Sequence, residues 1–111
     1  MISVITPVFN EEKTLEELFK RLKTSFDKVN ENFELIFVDN GSTDGSLQII
    51  KKIAEKQDNV KFLSLTKNSG HQGGIWAGLS STENTSVIID SDLQQPPEII
   101  EEFIKKWKEG F

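Results

Sequence analysis

Four short apolar runs, each closed by a polar turn and separated by amphipathic stretches, constrain this chain more than any other feature. Ile2–Thr6, Phe33–Asp39 and Val87–Ile89 are nearly continuous in Ile, Val, Leu and Phe, whereas Val60–Thr66 alternates in part. Continuous apolar runs of this length read as strands covered on both faces, and the alternating one reads as nearer a sheet edge. Between them, Leu15, Leu18, Phe19, Leu22, Phe26 and Val29 fall at helical spacing, in a helix running from beyond Pro7 to about Val29. Leu47, Ile50, Ile53 and Ala54 mark a second helix, Ile75 to about Ser81 a short third, and Ile99, Ile100, Phe103, Ile104 and Trp107 a fourth. Strand and helix alternating four times specify parallel strands with right-handed crossovers. The expected fold is a Rossmann-like α/β unit, a mostly parallel sheet flanked by helices. At 111 residues the chain is one domain, with no repeat, linker or low-complexity tract.

In such a sheet the C-terminal strand ends share one edge, and ligands bind there. Pro7–Glu11, Asp39–Ser42, Lys67–Gly74 and Asp90–Gln94 would therefore converge on one rim. Pro7 is expected to end the first strand, and Thr14 with Glu17 fits a capping box for the first helix. Asn10 and Glu11 sit where that strand hands over to the helix. Asn40–Gly45 is a dense turn signal in which Ser42 or Thr43 can cap the second helix. Lys67–Gly74, with three glycines, reads as a loop. Pro96 and Pro97 stop the last extended segment and open the fourth helix, with Glu98 in its first turn.

Asp90-Ser91-Asp92 carries the chemistry. Residues i and i+2 of an extended segment point to one side, so both carboxylates would project together from the strand end. Such oxygens suit Mg²⁺ or Mn²⁺, which complete their shells with substrate phosphates. Taken alone, an Asp-x-Asp is more often a solvated strand end that caps the next helix. Several classes are disfavoured. The first strand is not followed by the glycine-rich turn of dinucleotide or P-loop sites. His71, the only histidine, lies in a glycine-rich loop without a nucleophile elbow, so a Ser-His-Asp triad is poorly supported, and it reads as a surface or ligand-contact residue. A net charge of −5 counts against nucleic acid or an anionic membrane as partner. With no Cys there is neither a disulfide framework nor a thiolate metal site. No apolar run approaches the ~20 residues of a membrane span, and the start lacks a signal peptide's basic residues, which points to the cytoplasm.

Together, Pro7-Val-Phe-Asn-Glu11, Val38-Asp-Asn-Gly-Ser-Thr-Asp-Gly45, Asn68-Ser-Gly-His-Gln72 and Asp90-Ser-Asp-Leu-Gln-Gln-Pro-Pro-Glu98 resemble the family 2 glycosyltransferases of the GT-A fold. The nearest likeness is to the branch that moves sugars onto polyprenyl phosphates, such as dolichyl-phosphate mannose synthases and bactoprenol glucosyltransferases. The resemblance covers the whole chain but only part of the family's catalytic domain. It implies that residues 1–111 are the nucleotide-sugar-binding part, and that this piece alone does not turn over. It implies inverting, metal-dependent transfer from a nucleotide-diphosphate sugar, with a polyprenyl phosphate as acceptor. The longer protein would work at the cytoplasmic face of the membrane. Asp90, Asp92 and Gln94 would hold Mg²⁺ or Mn²⁺. Pro7, Phe9 and Glu11 would line the base and ribose pocket, and Asp90 and Ser91 would contact the nucleotide. Asp39 and Asn40 align with a pair usually written Asp-Asp, whose second member contacts the base, so Asn40 is a departure: an amide both donates and accepts, a carboxylate only accepts. Asn68 and Gly70 match a loop near the donor. No catalytic residue beyond the metal site is assignable. The competing readings are a non-catalytic nucleotide-binding module and a nucleotidyltransferase-like domain, the latter disfavoured because no basic, glycine-rich segment follows the first strand.

Overall fold

The structure is a computed structural model describing residues 1–66 and 70–110, with His71 by its backbone alone. Strands β1 (Ile2–Val8), β2 (Phe33–Asn40), β3 (Val60–Leu65) and β4 (Thr85–Ile88) alternate with helices α1 (Leu15–Lys28), α2 (Ser46–Lys56), α3 (Gly70–Leu79) and α4 (Ile99–Lys108). The strands form one parallel sheet in the order β3-β2-β1-β4. This is the expected Rossmann-like arrangement, with β3 at an edge as its alternation implied.

Alternate residues of the sheet serve two cores. Val4, Val8, Leu35 and Phe37 face α1, α2 and α4, whose Leu18, Leu22, Phe26, Ile50, Ile100 and Ile104 complete the larger core. Ile5, Ile36 and Val38 face the other way and pack against Ala77 of α3. Both faces of β1 and β2 are thus covered, which is why those runs are apolar throughout.

Five local expectations are corrected. Pro7 does not end β1 but lies within it, opposite Val38 of β2. The pairing explains how. Ile5 is opposite Ile88, and its carbonyl accepts from the Ile89 N–H. Continued in parallel, the ladder would next need an N–H from residue 7, which proline lacks. Pro7 therefore ends the pairing with β4 while β1 runs on beside β2, and the chain is released just before Asp90. β4 itself is an edge strand rather than one covered on both faces, and Ile88 is 41 % exposed.

The glycine-rich segment is helical from Gly70, not from Ile75. Gly78 explains the close approach of α3 to the sheet: a Cβ there would overlap the Ile5 Cγ2 and lie 3.2 Å from the Val38 Cγ2. Neither helix is capped as expected. Thr14 makes no side-chain cap but donates its hydroxyl to the Glu11 and Ser91 carbonyls, and Gly45 holds the N-cap position of α2. Finally, α4 begins at Ile99 after a turn in which the Pro96 and Pro97 carbonyls accept from Ile99 and Ile100. Glu98 precedes the helix and instead accepts two hydrogen bonds from Arg21 of α1, at 2.6 and 2.8 Å.

Candidate functional site

Where β1 and β4 part, the C-terminal rim of the sheet opens into a cleft of about 320 Å³, lined by Pro7, Val8, Phe9, Glu11, Asn40, Asp90, Ser91 and Asp92. Three segments distant in sequence meet there, as parallel topology requires. Pro7 and Val8 are the last residues of β1, Asn40 is the last of β2, and Asp90–Asp92 follow β4. Phe9 stands 44 % exposed at the mouth.

The loop after β1 is held by the loop after β2. The Asn10 Oδ1 accepts from the Thr43 and Asp44 amides at 2.8 and 3.3 Å, and the Asn10 amide donates to the Ser42 hydroxyl at 3.0 Å. The Glu12 carboxylate accepts from the Gly45 amide at 2.9 Å, and the Ser46 hydroxyl accepts from the Glu11 amide at 2.9 Å. Asn10 adopts a left-handed backbone, φ 54°, which asparagine tolerates better than most residues. This lacing fixes Glu11 in the cleft. On the opposite wall, the Asp92 Oδ1 accepts from the Gln94 amide at 3.1 Å. Leu93 between them has φ 61°, a strained value of the kind found where surrounding structure enforces a turn. The segment bends at Asp92 rather than running extended, with Ser91 buried, yet both Asp90 and Asp92 line the cleft.

Asp39, unlike Asn40, turns away from the cleft. It is 2 % exposed on the α1–α2 face of β2, and its Oδ1 lacks a hydrogen-bond partner among the described residues. The Asn40 amide nitrogen donates to the Gly70 carbonyl at 2.7 Å, which ties β2 to the start of α3. Gly70 adopts φ 80° and lies beside Asn40 rather than on the cleft wall. Gln94 is exposed and also lies off the wall, on the turn that carries Asp92. Asn68 falls outside the described residues. Val8 was missed from the sequence because the strand was ended at Pro7. The lacing partners Glu12, Asp44 and Ser46 were missed too, for nothing local says which loops will touch.

The cleft is acidic. Glu11, Asp90 and Asp92 line it, and among the described residues no Lys or Arg does. Burial pushes the Glu11 carboxyl above its ordinary value, and the charges of Asp92 and Asp44 push it further. Carboxylates that repel across a polar cleft form a donor set suited to a hard divalent ion. No three acidic or histidine side chains among the described residues could hold an ion by themselves. Asp90 and Asp92 are carboxylates on the wall that could serve as part of such a donor set.

The family model for glycosyl transferase family 2 matches residues 3–111. The chain belongs to that family. YkcC of Bacillus subtilis, an uncharacterised glycosyltransferase, is 44 % identical over 110 residues, which is 98 % of this chain and 34 % of YkcC. An undecaprenyl-phosphate 4-deoxy-4-formamido-L-arabinose transferase of Salmonella choleraesuis is 35 % identical over 112 residues, 99 % of this chain and 34 % of that enzyme. The chain thus spans about a third of the length of the curated relatives it matches. Among solved structures, residues 1–349 of S. aureus TarS in complex with UDP-GlcNAc superpose with a TM-score of 0.70 at 31 % identity, over 97 % of this chain and 30 % of that one. A mannosyltransferase from Pyrobaculum calidifontis, in complex with GDP-Man and Mn²⁺, gives 0.72 at 26 % identity, over 82 % and 27 %. The four-stranded parallel sheet with its flanking helices is thus that of GT-A glycosyltransferases. Among the described residues of this family member, no helix is long and apolar enough to cross a membrane.

Proposed function

We propose that residues 1–111 form the nucleotide-sugar-binding part of a metal-dependent, inverting glycosyltransferase. The observation that carries this reading is the cleft itself: Asp90 and Asp92 face Pro7, Phe9, Glu11 and Asn40 across about 320 Å³, with no cationic side chain on the wall among the described residues. A nucleoside diphosphate brings aromatic and anionic parts together, and the two sides of the cleft suit them separately. Phe9 offers an exposed ring on which a base can stack. Asn40, held by the Gly70 carbonyl, meets the base edge with an amide. Glu11, lodged by the two laced loops, is within the same pocket for the ribose hydroxyls, and Ser91 flanks the diphosphate. Asp39 stands behind Asn40 on the far face of β2, and Gly70, at the start of α3, serves the donor side by holding the Asn40 amide.

Asp90 and Asp92 would hold Mg²⁺ or Mn²⁺, with Gln94 on the same turn as a further ligand. Once bound, the ion supplies Lewis-acid stabilisation of the departing nucleoside diphosphate. The relatives that act on undecaprenyl phosphate support a polyprenyl phosphate as acceptor. A lipid-linked acceptor of that kind would bring the reaction to a membrane surface.

The test is calorimetric titration of the chain with UDP, GDP and CDP, each with Mn²⁺ and with EDTA, repeated on Asp92→Ala. Binding of one diphosphate that needs the metal and disappears in the variant is the expected result. A folded chain that binds none of them, or binds equally with EDTA, would refute the reading.

A further inference from the structure

The net charge of −5 conceals an uneven distribution. Helices α1 and α2 carry seven of the chain's 13 Lys and Arg side chains but only four of its 18 Asp and Glu. Both pack on one side of the sheet, so the fold gathers positive charge on one face of an acidic protein. Between them runs a groove of about 380 Å³, walled by Lys20 and Lys23 of α1 and by Lys52 and Lys56 of α2, with Glu16 its only acid. Lys23 pairs with Asp27 at 3.7 Å. Lys20, Lys52 and Lys56 have no ion-pair partner among the described residues, although Lys52 and Lys56 stand one turn apart, where like charges repel.

The floor of the groove decides what could neutralise these charges. Phe19 and Ile53 are only 7 % and 9 % exposed, so no open apolar socket awaits an anchoring side chain of a protein partner. What remains is a set of long aliphatic stems along the walls with ammonium groups at their ends. Lysines of that kind reach out to a layer of phosphates while their stems stay on apolar surface. We propose that the α1–α2 face docks on an anionic phospholipid surface, with Lys20, Lys23, Lys52 and Lys56 contacting lipid phosphates. The acidic cleft lies at the strand rim rather than on this face, so docking leaves it open. The proposal rests on the helix face alone and is independent of the donor reading.

The test is co-sedimentation of the chain with vesicles of phosphatidylcholine alone and of equal parts phosphatidylcholine and phosphatidylglycerol. Partition into the anionic vesicles alone is expected, and it should collapse between about 0.01 M and about 1 M salt, as the screening length falls from ~30 to ~3 Å. A surface lysine contributes about fivefold to such partition, so Lys52→Gln/Lys56→Gln should lower it about 30-fold and replacement of all four several hundred-fold. These side chains are exposed, and an unchanged urea midpoint would show that the variants fold. Lys105→Gln/Lys106→Gln on α4, outside the groove, should change partition far less. Equal partition into both vesicle types, indifference to the groove substitutions, or an equal loss from the α4 pair would each overturn the proposal.

Discussion

Replacing Gly78 by alanine tests whether the contact of α3 with the sheet is as tight as it looks. Helix propensity alone favours the change, since alanine is better than glycine by about 1 kcal/mol in a helix interior. Packing opposes it. The new methyl would overlap the Ile5 Cγ2 and stand 3.2 Å from the Val38 Cγ2. Ile5 and Val38 are both fully buried, on the two central strands, and have no space into which to retreat. Overpacking of this kind costs about 1–3 kcal/mol. Set against the propensity gain, Gly78→Ala should destabilise by about 1 kcal/mol, and at the upper end by about 2. For a domain of this size the midpoint should fall by roughly 4–8 °C per kcal/mol. Gly74, one turn earlier on the same helix, supplies the control. A Cβ there would meet the Asn40 Nδ2 and the Pro7 Cβ at 3.6 Å, an ordinary contact, so Gly74→Ala keeps the propensity gain and should be neutral or stabilising by up to about 1 kcal/mol. Urea unfolding of both variants beside the parent decides the matter. A Gly78→Ala protein as stable as Gly74→Ala would mean that α3 rides higher on the sheet than its contacts indicate.

Three further outcomes follow from the rim and its supports. The Glu11 carboxyl titrates above its ordinary 4.5 because of burial, Asp92 and Asp44, so the native state holds that proton more tightly than the unfolded chain. Stability should therefore fall as pH rises through the raised value, and Glu11→Gln should match the parent in acid and exceed it near neutrality in urea unfolding. A constant difference at all pH values would sink that account. Asn10→Ala loses the acceptor for two backbone amides and leaves at φ 54° a residue that tolerates the left-handed region less well than asparagine, which together cost about 2 kcal/mol. Asn10→Gly should recover the backbone part, so a glycine variant no better than alanine would refute the strain argument. Arg21 holds the Glu98 carboxyl below its ordinary 4.5, so their pairing stabilises above that value and is lost as acid protonates Glu98. Arg21→Gln should cost no more than about 1 kcal/mol at neutral pH and nothing in acid, read from urea midpoints.

The layout of the fold was legible because each strand and helix repeats its period over enough residues for local pattern to decide it. The helix faces of α1, α2 and α4 and the two central strands all follow their apolar spacing. Legibility failed wherever a residue answers to a neighbour remote in sequence. Pro7 looked like a strand terminator, yet only its β4 side lacks a hydrogen bond, and only pairing reveals which side that is. Gly70–Gly74 looked like a loop because glycine is a poor helix former, but α3 needs its small residues to approach Asn40, Pro7, Ile5 and Val38. Thr14, Ser42 and Thr43 looked like caps for their own helices. Thr14 instead reaches the Ser91 carbonyl, the Ser42 hydroxyl receives the Asn10 amide, and the Thr43 amide donates to the Asn10 side chain. The same pattern marks the cleft. Its wall residues apart from Val8 could be named in advance because a parallel sheet must bring its strand ends together, whereas the hydrogen bonds that hold Glu11 there run between loops about 35 residues apart. A single local period cannot encode such pairings. Turn-forming residues that leave their own helices uncapped are therefore the sequence trace of loops that hold each other, and at this rim they surround the cleft.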